Sequence, residues 1–172
     1  QIKHIEQFYF KNMQFEDNII NNDCVYVGVD KNRSTILNEM AKMFDQNHMI
    51  YEIILISNQI KTLSNSSPIQ YRKDPLTYKE VLKTIESTKG IIEIVSHEQS
   101  GLTWRTLESV FYNKKLITNN FSIVNHELYN KNNMFIFGYD NPAYFSTFMR
   151  SPIIALPENI IQRYTFQNWY RE

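Results

Sequence analysis

Short β-branched runs alternating with segments of helical periodicity are the feature that most limits what this chain can fold into. Cys24-Val-Tyr-Val-Gly-Val-Asp30 reads as a strand closed by a tight turn, and Ile36, Leu37, Met40, Ala41 and Phe44 follow at the spacing of one helix face. Met49–Ile56 is an apolar run too short for a helix, so it predicts a buried strand that completes a βαβ unit. After a polar stretch, Asp74-Pro-Leu-Thr77 stops the chain, and Thr77 with Glu80 forms a capping-box pattern ahead of Val81, Leu82 and Ile85. Gly90 is expected to end that helix. Ile91–Val95 predicts the third strand, Ser100–Tyr112 the next helix, Lys115–Thr118 a fourth strand and Met134–Phe137 a fifth. The alternation predicts a three-layer α/β domain with a mostly parallel sheet, the Rossmann-like class, over residues 23–172. Residues 1–22 read as a linker or N-terminal extension. The tail from Asp140 predicts a short helix over Ala143–Met149 and a last amphipathic piece ending at Trp169, able to pack back across a neighbouring domain.

Composition removes several functions. Eighteen basic residues balance eighteen acidic ones, so no net field draws the whole molecule to nucleic acid or to an anionic membrane. Cys24 is the only cysteine, which excludes an internal disulfide and points to a reducing compartment; the thiol reads as core, not as a nucleophile. No apolar run approaches the roughly 18 residues that span a bilayer, and the N-terminus lacks a signal-peptide pattern. The chain opens on Gln1 and an Asn-rich stretch, which reads as part of something longer, in a cytoplasmic protein. His4, His48 and His126 have no ligand set near them, and no metal-site spacing, Walker A or Gly-x-Ser-x-Gly motif occurs.

The remaining chemistry gathers where strands end. Three of only four glycines, Gly28, Gly101 and Gly138, fall at carboxyl ends of strands, the edge at which parallel α/β sheets bind ligands. A helix opening at Ser100 would aim the N–H groups of Ser100, Gly101 and Leu102 at an anion, with Thr103 starting the buried stripe that Leu107, Val110 and Phe111 continue. His97 stands at the strand's end facing the same crevice. Arg105 and Glu108 are spaced either for an exposed ion pair or, with Glu108 off the apolar stripe, for contact with sugar hydroxyls and phosphates. Lys31 and Arg33 in the first βα turn are either solvated surface charges or partners of a diphosphate.

The stretch Gln99-Ser-Gly-Leu-Thr-Trp-Arg-Thr-Leu-Glu-Ser-Val-Phe-Tyr-Asn-Lys-Lys-Leu-Ile-Thr-Asn-Asn120 resembles the donor-binding segment of the C-terminal half of GT-B glycosyltransferases, closest to bacterial enzymes of capsule or lipopolysaccharide synthesis. Val27-Gly-Val-Asp-Lys-Asn-Arg33 is similar to that family's opening strand and loop. The resemblance implies one half of a GT-B fold that binds a nucleotide-diphosphate sugar as substrate, with no cofactor or metal. It implies a donor site of Gly28, Lys31, Arg33, His97, Gln99, Ser100, Gly101, Leu102, Thr103, Arg105 and Glu108, with Glu108 on the ribose. Ser100 stands where many relatives carry an acid, with Glu98 or Gln99 as substitutes. The catalytic base would come from a separate N-terminal acceptor domain, so turnover by this chain alone is not expected. The resemblance also leaves room for peripheral association of the full-length enzyme with the inner face of the cell membrane. The competing reading is a non-catalytic Rossmann-like interaction or regulatory module.

Overall fold

The computed structural model describes residues 7–11, 14, 15, 19–57, 69–96 and 101–170. Six strands, β1 (Asn22–Val29), β2 (Tyr51–Ile56), β3 (Ile69–Arg72), β4 (Thr88–Glu93), β5 (Lys115–Thr118) and β6 (Met134–Ile136), form one sheet in the order β3-β2-β1-β4-β5-β6. Every pairing is parallel. Helix α1 (Ser34–Gln46) links β1 to β2, α2 (Tyr78–Glu86) precedes β4, and α3 (Trp104–Phe111) links β4 to β5. The short helices α4 (Phe145–Arg150), α5 (Glu158–Arg163) and α6 (Phe166–Trp169) complete the chain.

The layers follow from strand alternation. In β1, Cys24 and Tyr26 face a core built with α1 and α4, through Leu37, Met40, Phe44, Phe145 and Phe148. Val25 and Val27 face the opposite core with Val81, Leu82 and Ile85 of α2 and Leu107 and Phe111 of α3. Successive side chains of a strand point to opposite faces, so a sheet covered on both sides needs nearly continuous apolar strands. This is a Rossmann-like three-layer α/β fold, and Cys24 is a wholly buried core thiol whose pKa is raised by burial.

The structure differs from the expected elements in four places. Strand β3 lies within what reads as a polar stretch; only Ile69 of its four residues is buried, because it is an edge strand. Gly90 does not end α2, which closes at Glu86 with Ser87 as its C-cap; it lies inside β4, where a Cβ would meet Ile117 Cδ1 at 3.0 Å and the Asp23 carbonyl oxygen at 3.3 Å. Helix α3 starts at Trp104, not Ser100. Gly28 sits within β1, and its missing side chain makes room for the Tyr26 ring, whereas Gly101 and Gly138 do adopt positive φ (97° and 84°).

The capping box at Thr77 is formed as read: its hydroxyl accepts from the Glu80 N–H at 3.3 Å, and Glu80 Oε2 accepts from the Thr77 N–H at 2.7 Å. Thr77→Ala is expected to lose about 1 kcal/mol in urea unfolding.

Tyr9, in the N-terminal extension, is a core residue. It is 1% exposed, hydrogen-bonds Tyr78 through its hydroxyl at 2.7 Å, and pairs in parallel with Thr165, its N–H donating to the Tyr164 carbonyl at 2.7 Å. Phe8 packs on Phe166 and Trp169, so the C-terminal piece lies across the chain's own N-terminal segment.

Candidate functional site

The order of strands reverses between β1 and β4, and there the crossovers leave to opposite sides of the sheet. Pairing between β1 and β4 ends at Val25–Ile91, although β1 runs on to Val29 and β4 to Glu93. The splayed strand ends open a crevice of about 440 Å³, lined by Lys31, Asn32, Arg33, Thr35, Ile36, Glu39, Ile94, Val95, Ser96 and Asn119.

Each wall has a local cause. Lys31 and Asn32 turn the chain through left-handed conformations (φ 36° and 63°), and the Arg33 N–H then donates to the Asp30 carbonyl at 2.6 Å. Asp30 Oδ1 accepts the Ser34 N–H at 3.3 Å, while Arg33, the N-cap, makes no side-chain cap. The next N–H groups, of Thr35 and Ile36, belong to a first turn that has no intrahelical acceptors, and both residues line the crevice. On the far wall, the Asn119 side chain bridges back to Val95, accepting its N–H at 2.8 Å and donating to its carbonyl at 3.0 Å. This fixes the start of the segment that leads to α3.

Two arginines cover the carbonyls that β1 exposes at its end. Arg33 Nη1 donates to the Val29 carbonyl at 3.2 Å, and Arg105 Nη2 to the Val27 carbonyl at 3.3 Å. Arg105 also pairs through Nη1 with Glu108 Oε2. Glu108 is fully buried, and its Oε1 has no hydrogen-bond partner. Burial raises the Glu108 pKa, against the opposing pull of the Arg105 guanidinium and a smaller effect of the Tyr78 hydroxyl.

Of the residues expected to contact a donor, the crevice brings together Lys31 and Arg33, with Gly28 in the strand that leads to them. Gly101, Leu102, Thr103, Arg105 and Glu108 are not in its walls. Glu108 lies on the buried side of α3 and not off the stripe, because Thr106, Leu107, Ser109 and Phe111 are buried around it. Thr103, expected in the stripe, is the N-cap; its hydroxyl accepts from the N–H groups of Arg105 at 3.1 Å and Thr106 at 3.3 Å, so the start of α3 is closed by its own side chain. Gly101 and Leu102 precede the helix and are not its first turn. His97, Glu98, Gln99 and Ser100 lie outside the described residues.

Asn32, Thr35, Glu39, Ser96 and Asn119 were not singled out from the sequence. The signal was available: they follow β1, β4 and β5 directly or occupy the first turns of α1. Glu93 is a second omission. Within the apolar run Ile91–Val95 it is 3% exposed, and its carboxylate accepts from the hydroxyls of Thr103, of Thr106 at 2.8 Å and of Thr118 at 2.6 Å. It ties β4, β5 and the start of α3 together.

Comparison with known proteins finds no matching family model, no similar curated protein and no similar solved structure.

Proposed function

We propose that the crevice binds the diphosphate of a nucleotide sugar, and that the chain is the donor-binding half of a GT-B glycosyltransferase acting on cell-surface polysaccharide or lipopolysaccharide. The observation that carries this reading is the convergence of Lys31, Arg33 and the first turn of α1 on one crevice at the point where strand order reverses. Two cations and the positive end of a helix favour a diphosphate and would stabilise it as a leaving group. In this reading the anion site moves from the start of α3, which Thr103 closes, to the start of α1. The ribose contact of Glu108 has less support, since Arg105 would have to swing aside to uncover its carboxylate.

Titration calorimetry with nucleoside diphosphates and the matching nucleosides tests this. The diphosphate is expected to bind and, at about a hundred times its Kd, to stabilise the fold by roughly 2.7 kcal/mol. Arg33→Ala is expected to weaken the diphosphate at least about tenfold and to leave the nucleoside unaffected. If no nucleoside diphosphate binds, the donor reading fails and the interaction-module reading takes its place.

A further inference from the structure

Among the described residues Glu39 is the one acid in the lining of the crevice, which otherwise holds Lys31, Arg33 and uncharged groups. It lies on the side of α1 turned away from the core. Leu37, Met40, Ala41 and Phe44 are buried, whereas Thr35 and Glu39, one turn apart, are exposed and line the crevice.

The Glu39 carboxylate makes no hydrogen bond or ion pair among the described residues, and neither does the Lys31 ammonium. Opposite charges that line one hollow and stay apart leave room between them for a ligand that is anionic at one end only. The cationic end is the start of α1. Arg33 stays beside the strand by donating to the Val29 carbonyl at 3.2 Å, and Asp30, which is not in the lining, takes the Ser34 N–H through Oδ1 at 3.3 Å. The first-turn N–H groups left to a ligand are those of Thr35 and Ile36.

Glu39 follows Ser34 by five positions, a rise of about 7 Å along the helix. A diphosphate held at the start of α1 and running along it brings its outer substituent beside Glu39. A further negative charge there, about 7 Å or less from the carboxylate, weakens binding by about threefold in water and about fiftyfold at the effective dielectric of a protein surface. An open crevice lies between these limits, near about tenfold. A neutral sugar ring in the same place meets no such repulsion, and its hydroxyls can donate to the free carboxylate. Lys31, Arg33 and the helix start by themselves favour the more highly charged ligand, so a preference for less charge has to come from Glu39.

We infer that Glu39 sets the class of donor: the crevice takes a diphosphate whose outer substituent is uncharged and rejects one carrying a further negative charge, as in a nucleoside triphosphate or the diphosphate of an acidic sugar. This rests on the donor-binding reading of the crevice and narrows it to neutral sugars.

Titration calorimetry of the chain with UDP, GDP, ADP and CDP and with their triphosphates tests the inference, in a chelator so that no divalent cation neutralises the third phosphate. The best-bound diphosphate is expected to bind at least about fivefold more tightly than its triphosphate. Glu39→Gln should tighten the triphosphate by about tenfold and the diphosphate by no more than about threefold, which removes the preference, and Glu39→Lys should reverse it. Glu158→Gln, at an exposed position of α5 outside the crevice walls, removes the same charge and should leave the ratio unchanged. Thermal melts matching the wild type establish that the variants are folded. A triphosphate bound as tightly as its diphosphate, or a preference that survives Glu39→Gln, overturns this inference alone and leaves the donor reading standing. Absence of binding by all four diphosphates overturns the donor reading and this inference with it.

Discussion

Arg105→Met is expected to destabilise the fold by about 3 kcal/mol or more at neutral pH, because it leaves the Glu108 carboxylate buried without its counter-ion. The loss of the bond to the Val27 carbonyl adds to this. Glu108→Gln should be milder, within about 1 kcal/mol of the wild type, since an amide oxygen can still face Arg105 while the desolvated charge is gone. Removing both partners together, as Arg105→Met with Glu108→Leu, should recover most of the single loss, and a double-mutant cycle in urea measures the coupling. The pH dependence has a definite sign. A carboxyl whose pKa is raised by folding favours the folded state in its protonated form, and that advantage is lost as pH rises from the ordinary glutamate range through the folded value. Without Arg105 the rise is larger, so the variant should lie closest to the wild type in acid and furthest from it above neutrality. A deficit that is flat across that range would show that Glu108 is not its source.

Glu93→Ala should be comparably severe, about 3 kcal/mol or more, for a different reason. The carboxylate is the common acceptor of three threonine hydroxyls, and hydrogen bonds to a charged group contribute roughly 1.5–3 kcal/mol each, with incomplete additivity. The hydroxyls of Thr103 and Thr118 have little freedom to find other acceptors, because their oxygens already accept backbone N–H groups, from Arg105 and Thr106 and from Asn120. Glu93→Gln should fall between alanine and wild type, since one amide oxygen replaces two acceptors. Equilibrium unfolding gives the order. An alanine variant no less stable than the wild type would mean that the hub contributes nothing net.

The layers and most elements were legible because they rest on periodicity: buried strands are runs, and covering helices are stripes. Where a strand is neither, as in β3, tertiary pairing alone reveals it. Gly90 misled because glycine after a helix usually marks a C-cap, whereas here β1 and β5 crowd a strand position. The crevice edge could be read from the order of strands and helices, and so could Lys31 and Arg33. The depth of Glu108 could not, because a glutamate among apolar positions reads as a solvated face until a packed guanidinium is seen beside it. Glu93 gave the same ambiguous signal inside a strand. Its three acceptor bonds come from residues 10, 13 and 25 positions away, and only folding brings them together.

The parallel bridge between Tyr9 and Thr165 has a mechanical consequence. In a parallel pair, the chain leading into one member and the chain leading out of the other depart in opposite directions, so a pull between the two ends of the domain loads the bridge in shear and does not unzip it. The first anchor to carry that load is the Tyr9 ring, clamped against Phe111 and Tyr112 of the α3 layer and hydrogen-bonded to Tyr78 at the start of α2. Tension between attached segments would therefore reach the two helices of one face before it reaches any strand of the sheet.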